Sequence, residues 1–511
     1  MRKFKDWFYQ QQLKDVLFYG FLIIYAAVLT YLCKVVPFWE DEFYTINTTS
    51  HNISGVIRQS YIFEGQPPVY FLLLKMWRVF NSGFFFARSL SIVFIVLAAL
   101  FVIRLLRLVS GTSEVKWLLI IFLLNPFTVW AAIEMRTYAL LILLSTIAVY
   151  YFLKYYISNK TKYLLIFLLI STIGLYTQYL FVILIISLSF SFLVFRGWKR
   201  FFNLCLSLIP VVLIFLPSLI FLESDINIAN HQTESTLDVG RRTLFKIFQS
   251  PPKFLLGLNR LPGADFVKLI IILVTFLFFI YSYFILNKKR QVSNDPLFEN
   301  INFIFVTLIV FVGLFCIAFT LTKITYADQY MAIAFSLFIS LYTILKVHTS
   351  FLKKLIYPLL SLYFISLLFI TYRHPIKFYD FRSIAKYVEK IEQNGEPILF
   401  YRNQLSLPFS YYYKGNNLIY PLPHAVTYDK NYLVNIKDTI ELKQIVDRIE
   451  KNSSTFILIS DDNFNYLNSL NMNRKMVDNY LCNKFIITLD TLCYGESEEY
   501  YIRIRHFERK L

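Results

Sequence analysis

Three consecutive carboxylates, Glu40, Asp41 and Glu42, follow the first long apolar run of the chain in the stretch VVPFWEDEFYTINTTS, framed by Trp39, Phe43 and Tyr44. A carboxylate poised beside lipid can take the proton from an acceptor hydroxyl as that hydroxyl attacks an electrophilic carbon. A second group lies in NPFTVWAAIEMRTYALL, where Glu134, Arg136 and Tyr138 alternate at a junction between apolar runs. A cation there can stabilise a phosphate as it leaves. Read alone, Glu134 and Arg136 also make an ordinary ion pair, and WEDE an interfacial turn. Ionisable groups are costly near the hydrocarbon, however, and mark either a site or a structural pair. Collected on one side of a membrane, together with Glu64, they suit sugar transfer from a lipid-linked sugar phosphate. Glu40, Asp41, Glu42 and Glu64 could also hold Mg or Mn, which favour carboxylates. The sequence does not require that cation, and no clustered His/Cys metal spacing occurs.

The elements that must position these residues are membrane helices. Of 511 residues, 57% are hydrophobic and only 16% charged, with 53 Phe and 37 Tyr. Runs such as VLFYGFLIIYAAVLTYLCKVV are long enough to cross a hydrocarbon core of roughly 30 Å. The first is too long for a signal peptide and lacks a cleavage site, so it stays as a span. Hydropathy places spans near 16–36, 88–108, 117–133, 137–156, 162–178, 180–195, 202–222, 266–287, 302–321, 330–346 and 355–372. The formal charge is +18, but residues 373–511 hold 19 Lys/Arg against 17 Asp/Glu, which leaves +16 to the apolar part. There the cations cluster in every second short loop: Arg104, Arg107 and Lys116; Lys154, Lys160 and Lys162; Arg196, Lys199 and Arg200; Lys288, Lys289 and Arg290; Lys346, Lys353 and Lys354. That alternation follows the positive-inside rule and speaks against a nucleic-acid partner. It implies a multi-pass membrane protein with a cytoplasmic N-terminus, and a bacterial inner membrane is the expected location.

On this topology residues 37–87, the turn at Glu134–Arg136, YTQY (176–179), the loop 223–265, the turn 322–329 and the C-terminal segment face outside. QPPVYFLLLKMWRVF (66–80) reads as a helix in the outer interface whose Lys75 and Arg78 snorkel, in preference to a short tilted span. From YRHPIKFYD onward the polarity is ordinary. DFRSIAKYVEKIEQNG and DTIELKQIVDRIEKN read as helices, and PILFYR, TFILIS, KFIITL and EYYIRIRHF as strands. The expected architecture is therefore an all-α polytopic membrane domain, residues 1–372 with about eleven spans, followed by an extracytoplasmic α/β domain, residues 373–511. Cys33, Cys205 and Cys316 read as small apolar residues within spans. Cys482 and Cys493 lie where an oxidising compartment permits a disulfide, with the unpaired reading equally open.

The acidic pair after the first span resembles the membrane-embedded glycosyltransferases of the type C fold that use polyprenyl-phosphate sugars. These include the protein O-mannosyltransferases and the lipid A aminoarabinose transferases. The Pro-Pro-aromatic helix QPPVYFLLLKMW, the Arg in ARSLSIVF, the Glu-x-Arg-x-Tyr turn after Asn-Pro, LYTQYL and an outer C-terminal domain are similar to bacterial members. The resemblance implies a polyprenyl-phosphate sugar as donor and an inverting transfer to a glycan, lipid or protein hydroxyl. It assigns Asp41 as acceptor-activating base, Glu42 as its partner, and Arg136 with Tyr138 to the donor phosphate. Two positions depart from the pattern. Gln66 stands before Pro-Pro where His or Lys is usual. Gln329 precedes Tyr330 where Arg-Tyr is common, which leaves Lys323 to supply the missing cation.

No Walker loop, Gly-x-Ser-x-Gly, internal repeat or nucleotide-sugar site is present in the sequence. Two alternatives stay open at this level. A transporter or flippase for lipid or oligosaccharide calls for broken helices and ionisable residues at mid-membrane. A polysaccharide polymerase or ligase calls for conspicuous Arg and His in large outer loops, and Arg241, Arg242 and Arg260 in 223–265 keep it in play.

Overall fold

The computed structural model describes residues 20–111, 115–231, 236–258, 265–292, 296–322, 327–348, 350–376, 378–429, 436–450, 453–461, 468–495 and 501–510. The chain divides into two compact units. One comprises Met1–Cys33, His51–Tyr61 and Gly65–Arg373, the other Lys34–Ser50, Ile62–Glu64 and His374–Leu511. The acidic stretch thus belongs to the same unit as the C-terminal residues, a grouping absent from the sequence reading.

The first unit is helical. Among the described residues seven helices are long and apolar enough to cross a membrane: Phe84–Ser110, Tyr138–Ser158, Trp198–Phe221, Phe266–Lys289, Pro296–Thr320, Asp328–Leu345 and Lys354–Tyr372. The other four expected spans take different forms. Span one continues as Gly20–Val35, which reaches the required length only together with the next helix. The span at 117–133 is broken into Val115–Leu124 and Pro126–Ala132, bent by 60°. Thr161–Leu175 and Phe181–Arg196 are shorter, 15 and 16 residues, or about 23 Å at 1.5 Å per residue.

Asn125 causes the break. Its buried side chain accepts from Phe127 N at 2.9 Å, capping a helix that starts with Pro126, and donates to Phe254 O at 2.8 Å. Proline suits a first helical position because it has no N–H to leave unsatisfied. The Pro-Pro segment forms the ten-residue helix Val69–Arg78, about 15 Å long and so half a hydrocarbon thickness. The expected loop 223–265 is largely helical instead. Trp198–His231 carries two internal prolines, and the helix Thr236–Leu256 follows it. The span expected at 330–346 alternates 3₁₀ and α turns: Asp328–Ala334, Phe335–Leu341 and Tyr342–Val347.

Tyr138–Ser158 is the most enclosed of the long α-helices, packed against Phe84–Ser110, Thr161–Leu175 and the 3₁₀ turn Asp328–Ala334. Lipid tails are as apolar as the helices, so ring interlock and close contact must hold the bundle. Phe152 meets Phe167, Phe192 and Phe303 at centroid distances of 4.8, 5.8 and 6.1 Å.

In the second unit five strands, β1 (Ile398–Tyr401), β2 (Ile419–Leu422), β3 (Thr455–Asp461), β4 (Phe485–Tyr494) and β5 (Tyr501–Arg509), form one sheet in the order β2-β1-β3-β5-β4. β2, β1 and β3 run parallel, and β5 and β4 are antiparallel additions. Alternate residues feed two cores. Ile398, Phe400, Ile457 and Ile459 pack on Phe381–Ile391, while Leu399, Phe456 and Leu458 pack on Thr439–Glu450 and Asn468–Lys484. This two-faced burial explains why PILFY and TFILI are continuous apolar runs. Cys482 and Cys493 are both free.

Candidate active site

In the α/β unit, Glu40–Ser50 is a helix with all three acids in its first turn. Negative charge suits the positive end of the helix dipole. Glu42 is fully buried, and its Oε2 accepts from Trp39 N at 3.3 Å while Glu42 N bonds Trp39 O at 3.0 Å. This is the glutamate half of a capping box. Asp41 lies between them and is half-buried.

Glu40 meets a cation that the sequence did not announce. Arg402 donates from Nη2 to Glu40 Oε1 at 3.0 Å and from Nη1 to Asp461 Oδ2 at 2.6 Å. Tyr379 Oη also donates to Asp461 Oδ2, at 2.7 Å. Asp461 is 1% exposed, Arg402 19% and Glu40 22%. Burial alone would lower the Arg402 pKa, but Glu40 and Asp461 reverse this and hold the guanidinium above its ordinary value. Burial pushes the Glu40 carboxyl up; Arg402 pulls it back, and Asp41 and Asp461 add to the push. Tyr379 is raised by burial and by Asp461.

Arg402 has φ +81°, a left-handed conformation that costs a non-glycine residue about 1–2 kcal/mol. It directly follows β1, and Asp461 ends β3. The chain leaves β1 for β2 on one side and returns to β3 on the other, so these carboxyl ends flank a topological switch point. Open α/β sheets bind their ligands at such a point. Here Glu40 occupies it.

Further contacts fix the same stretch. Arg382 Nη2 donates to Val35 O at 3.2 Å, and Phe38 N donates to Tyr412 Oη at 2.9 Å. Trp39 lies against Phe378, and Phe38 and Phe43 both meet Tyr411 edge-on. Tyr44, Phe63 and Tyr428 form a mutual edge-to-face trio. Glu64 accepts from Thr48 Oγ1 at 3.2 Å. Glu40, Glu42 and Glu64 are therefore engaged in separate contacts. Among the described residues no group of three His, Cys, Asp or Glu is placed to hold a metal ion.

In the helical unit, Glu134, Arg136 and Tyr138 occupy one buried turn between Pro126–Ala132 and Tyr138–Ser158. Ser91 Oγ donates to Glu134 O, and Trp130 lies 4.9 Å from the Tyr138 ring. The motif Arg is Arg88, fully buried, with Nη1 3.0 Å from Cys33 O. Gln66 donates from its backbone N to Ser60 O at 2.9 Å, and its side-chain Oε1 is buried without a hydrogen-bond partner among the described residues. Val69 N donates to Tyr176 O at 3.0 Å, tying the Pro-Pro helix to the YTQY turn. Tyr330 is half-buried beside Phe319, on the 3₁₀ turn that packs against Tyr138–Ser158. Lys323 lies outside the described residues.

The sequence reading missed Arg402, Asp461 and Tyr379. A signal was present for the first two, because each is the polar residue that closes a continuous apolar strand.

Residues 65–221 match the sequence model of the dolichyl-phosphate-mannose-protein mannosyltransferase family. The match contains the Pro-Pro helix, Arg88, the Glu134–Tyr138 turn and LYTQYL, and it bears out the resemblance drawn from those motifs. No curated protein matches the chain. Similar solved structures include ArnT from Cupriavidus metallidurans bound to undecaprenyl phosphate, 11% identical over 95% of this chain and 98% of that one, TM-score 0.49. The same protein in the apo state gives 11%, the same coverage and a TM-score of 0.43.

Proposed function

We propose that the protein is a multi-pass glycosyltransferase that moves a sugar from a polyprenyl phosphate to an acceptor hydroxyl at the outer face of the inner membrane. The observation that carries this reading is the family match over 65–221, a range that contains Gln66, Arg88, Glu134, Arg136 and Tyr138. Asp41 is the base. It takes the acceptor's proton as the hydroxyl oxygen attacks the sugar's C1 from the face opposite the phosphate. The C1–O bond to phosphate breaks in the same displacement, inverting the anomeric centre and releasing the polyprenyl phosphate. Arg136, with Tyr138 beside it in sequence, is the candidate to balance the charge on that phosphate.

Glu42 supports Asp41 by capping the helix that carries it. Gln66, Glu64, Glu134, Lys323 and Tyr330 are assigned to donor binding. The cationic loops supply the orientation, with the α/β unit extracytoplasmic.

The test is mass spectrometry of lipid extracts from cells carrying wild-type protein or Asp41→Asn at matched expression. A glycosylated polyprenyl monophosphate that accumulates only with Asp41→Asn supports the donor class and gives the sugar's mass. Identical lipid profiles, with the variant present and inserted, overturn it.

A further inference from the structure

The crevice at the switch point of the α/β sheet is where a fold of this kind would take a small ligand, yet it is closed by the chain's own Glu40. Arg402 spans it, with one Nη on Asp461 at the end of β3 and the other on Glu40 at the first turn of the acidic helix. The arrangement is built rather than incidental. Arg402 adopts a left-handed backbone to aim its fork. Asp461 is buried and takes a second donor, Tyr379, on the oxygen that Arg402 holds. Glu40 and Asp41 are adjacent, so whatever fixes the Glu40 side chain fixes the turn on which Asp41 is mounted.

We propose that Arg402 is a positioning residue for Asp41, acting through Glu40: it anchors the acidic helix to the sheet and so fixes the direction of the Asp41 carboxylate. The α/β unit is then part of the catalytic apparatus rather than a cover. This rests on the reading of Asp41 as base. Arg402 touches no reacting atom in this scheme. It removes freedom from the group that does, and a base displaced by an ångström loses much of its rate.

The experiment uses full-length protein in proteoliposomes, with the glycosylated polyprenyl phosphate isolated from Asp41→Asn cells as donor. Arg402→Gln, Glu40→Gln and the double variant are compared with wild type for donor bound per protein and for the single-turnover rate of pre-bound donor. The second quantity does not fall merely because some protein is misfolded. Hydrogen exchange over residues 38–50 is followed in parallel.

The expected result is full donor binding, a single-turnover rate reduced tenfold or more in Arg402→Gln and several-fold in Glu40→Gln, and faster exchange confined to the acidic helix. The double variant should be no slower than Arg402→Gln, because both changes remove one contact. Glu40→Gln leaves the Arg402–Asp461 pair in place, so it decides the matter even where Arg402→Gln does not fold. Wild-type rate and exchange in Glu40→Gln overturn the inference while Asp41→Asn remains inactive. No transfer by wild type overturns the reading of Asp41 on which the inference stands.

Discussion

Arg402 and Glu40 lie 362 residues apart in sequence and meet at 3.0 Å, with the other arm of the same guanidinium on Asp461. The pair joins the first turn of the acidic helix to the sheet of the same unit. Replacing Arg402 by Ala takes the guanidinium away from the buried Asp461 carboxylate. Loss of one partner from a largely buried pair costs roughly 3 kcal/mol, which should lower the thermal unfolding midpoint in detergent clearly below wild type. A midpoint within a degree of wild type would show that the contact carries little stability.

Glu40 itself behaves differently. Its folded-state pKa is raised, chiefly by burial, so the folded state binds the proton more tightly than the unfolded one. That contribution is complete below the unfolded value of about 4.3 and is lost as pH rises through the native value. Glu40→Gln should therefore leave the midpoint near neutral pH unchanged or slightly higher, and flatten its decline between mildly acidic and neutral pH. Melting curves across that window check the sign.

Asn125 is a structural prediction independent of any activity. It caps Pro126–Ala132 and bonds Phe254 O from a fully buried position. Asn125→Ala loses both and should destabilise the helical unit by about 1–3 kcal/mol, while Asn125→Ser should keep the cap and lose the bond to Phe254 O. Thermal inactivation rates of the two variants should fall in that order.

For Arg136 the expectation concerns binding. A hydrogen bond to a charged group contributes about 1.5–3 kcal/mol, so Arg136→Gln should raise the donor KM by roughly ten- to hundredfold. Arg136→Lys should recover part of this as a point charge without the fork. An unchanged donor KM in Arg136→Gln would remove the residue from phosphate binding.

Much of this was legible in the amino acids because it rests on local pattern. Continuous apolar runs gave the long helices, and the helices Phe381–Ile391 and Thr439–Glu450 and strands β1, β3, β4 and β5 fall where periodicity placed them. The Pro-Pro helix and the Glu134–Tyr138 turn were equally readable. What escaped depended on distant contacts. The helical form of Glu40–Ser50 is held by side chains from beyond residue 374; its acids and the Glu42 cap favour a start locally, but Thr and Asn in its second half do not sustain it. The break at Asn125 looks like part of a span until its side chain finds Phe254 O. Strand β2 is a four-residue segment containing Pro421, tolerable because it is an edge strand. Arg402 read as the end of a strand, and only the crossing of the chain from β2 to β3 makes that end a site.

The most direct measurement is release of polyprenyl phosphate by purified protein in proteoliposomes, supplied with the lipid-linked sugar isolated from Asp41→Asn cells and a membrane fraction as acceptor source. The account predicts release by wild type, none above background by Asp41→Asn, and retained donor binding by both. Equal release by the two proteins would contradict it, because the carboxylate assigned to take the acceptor's proton would then be dispensable.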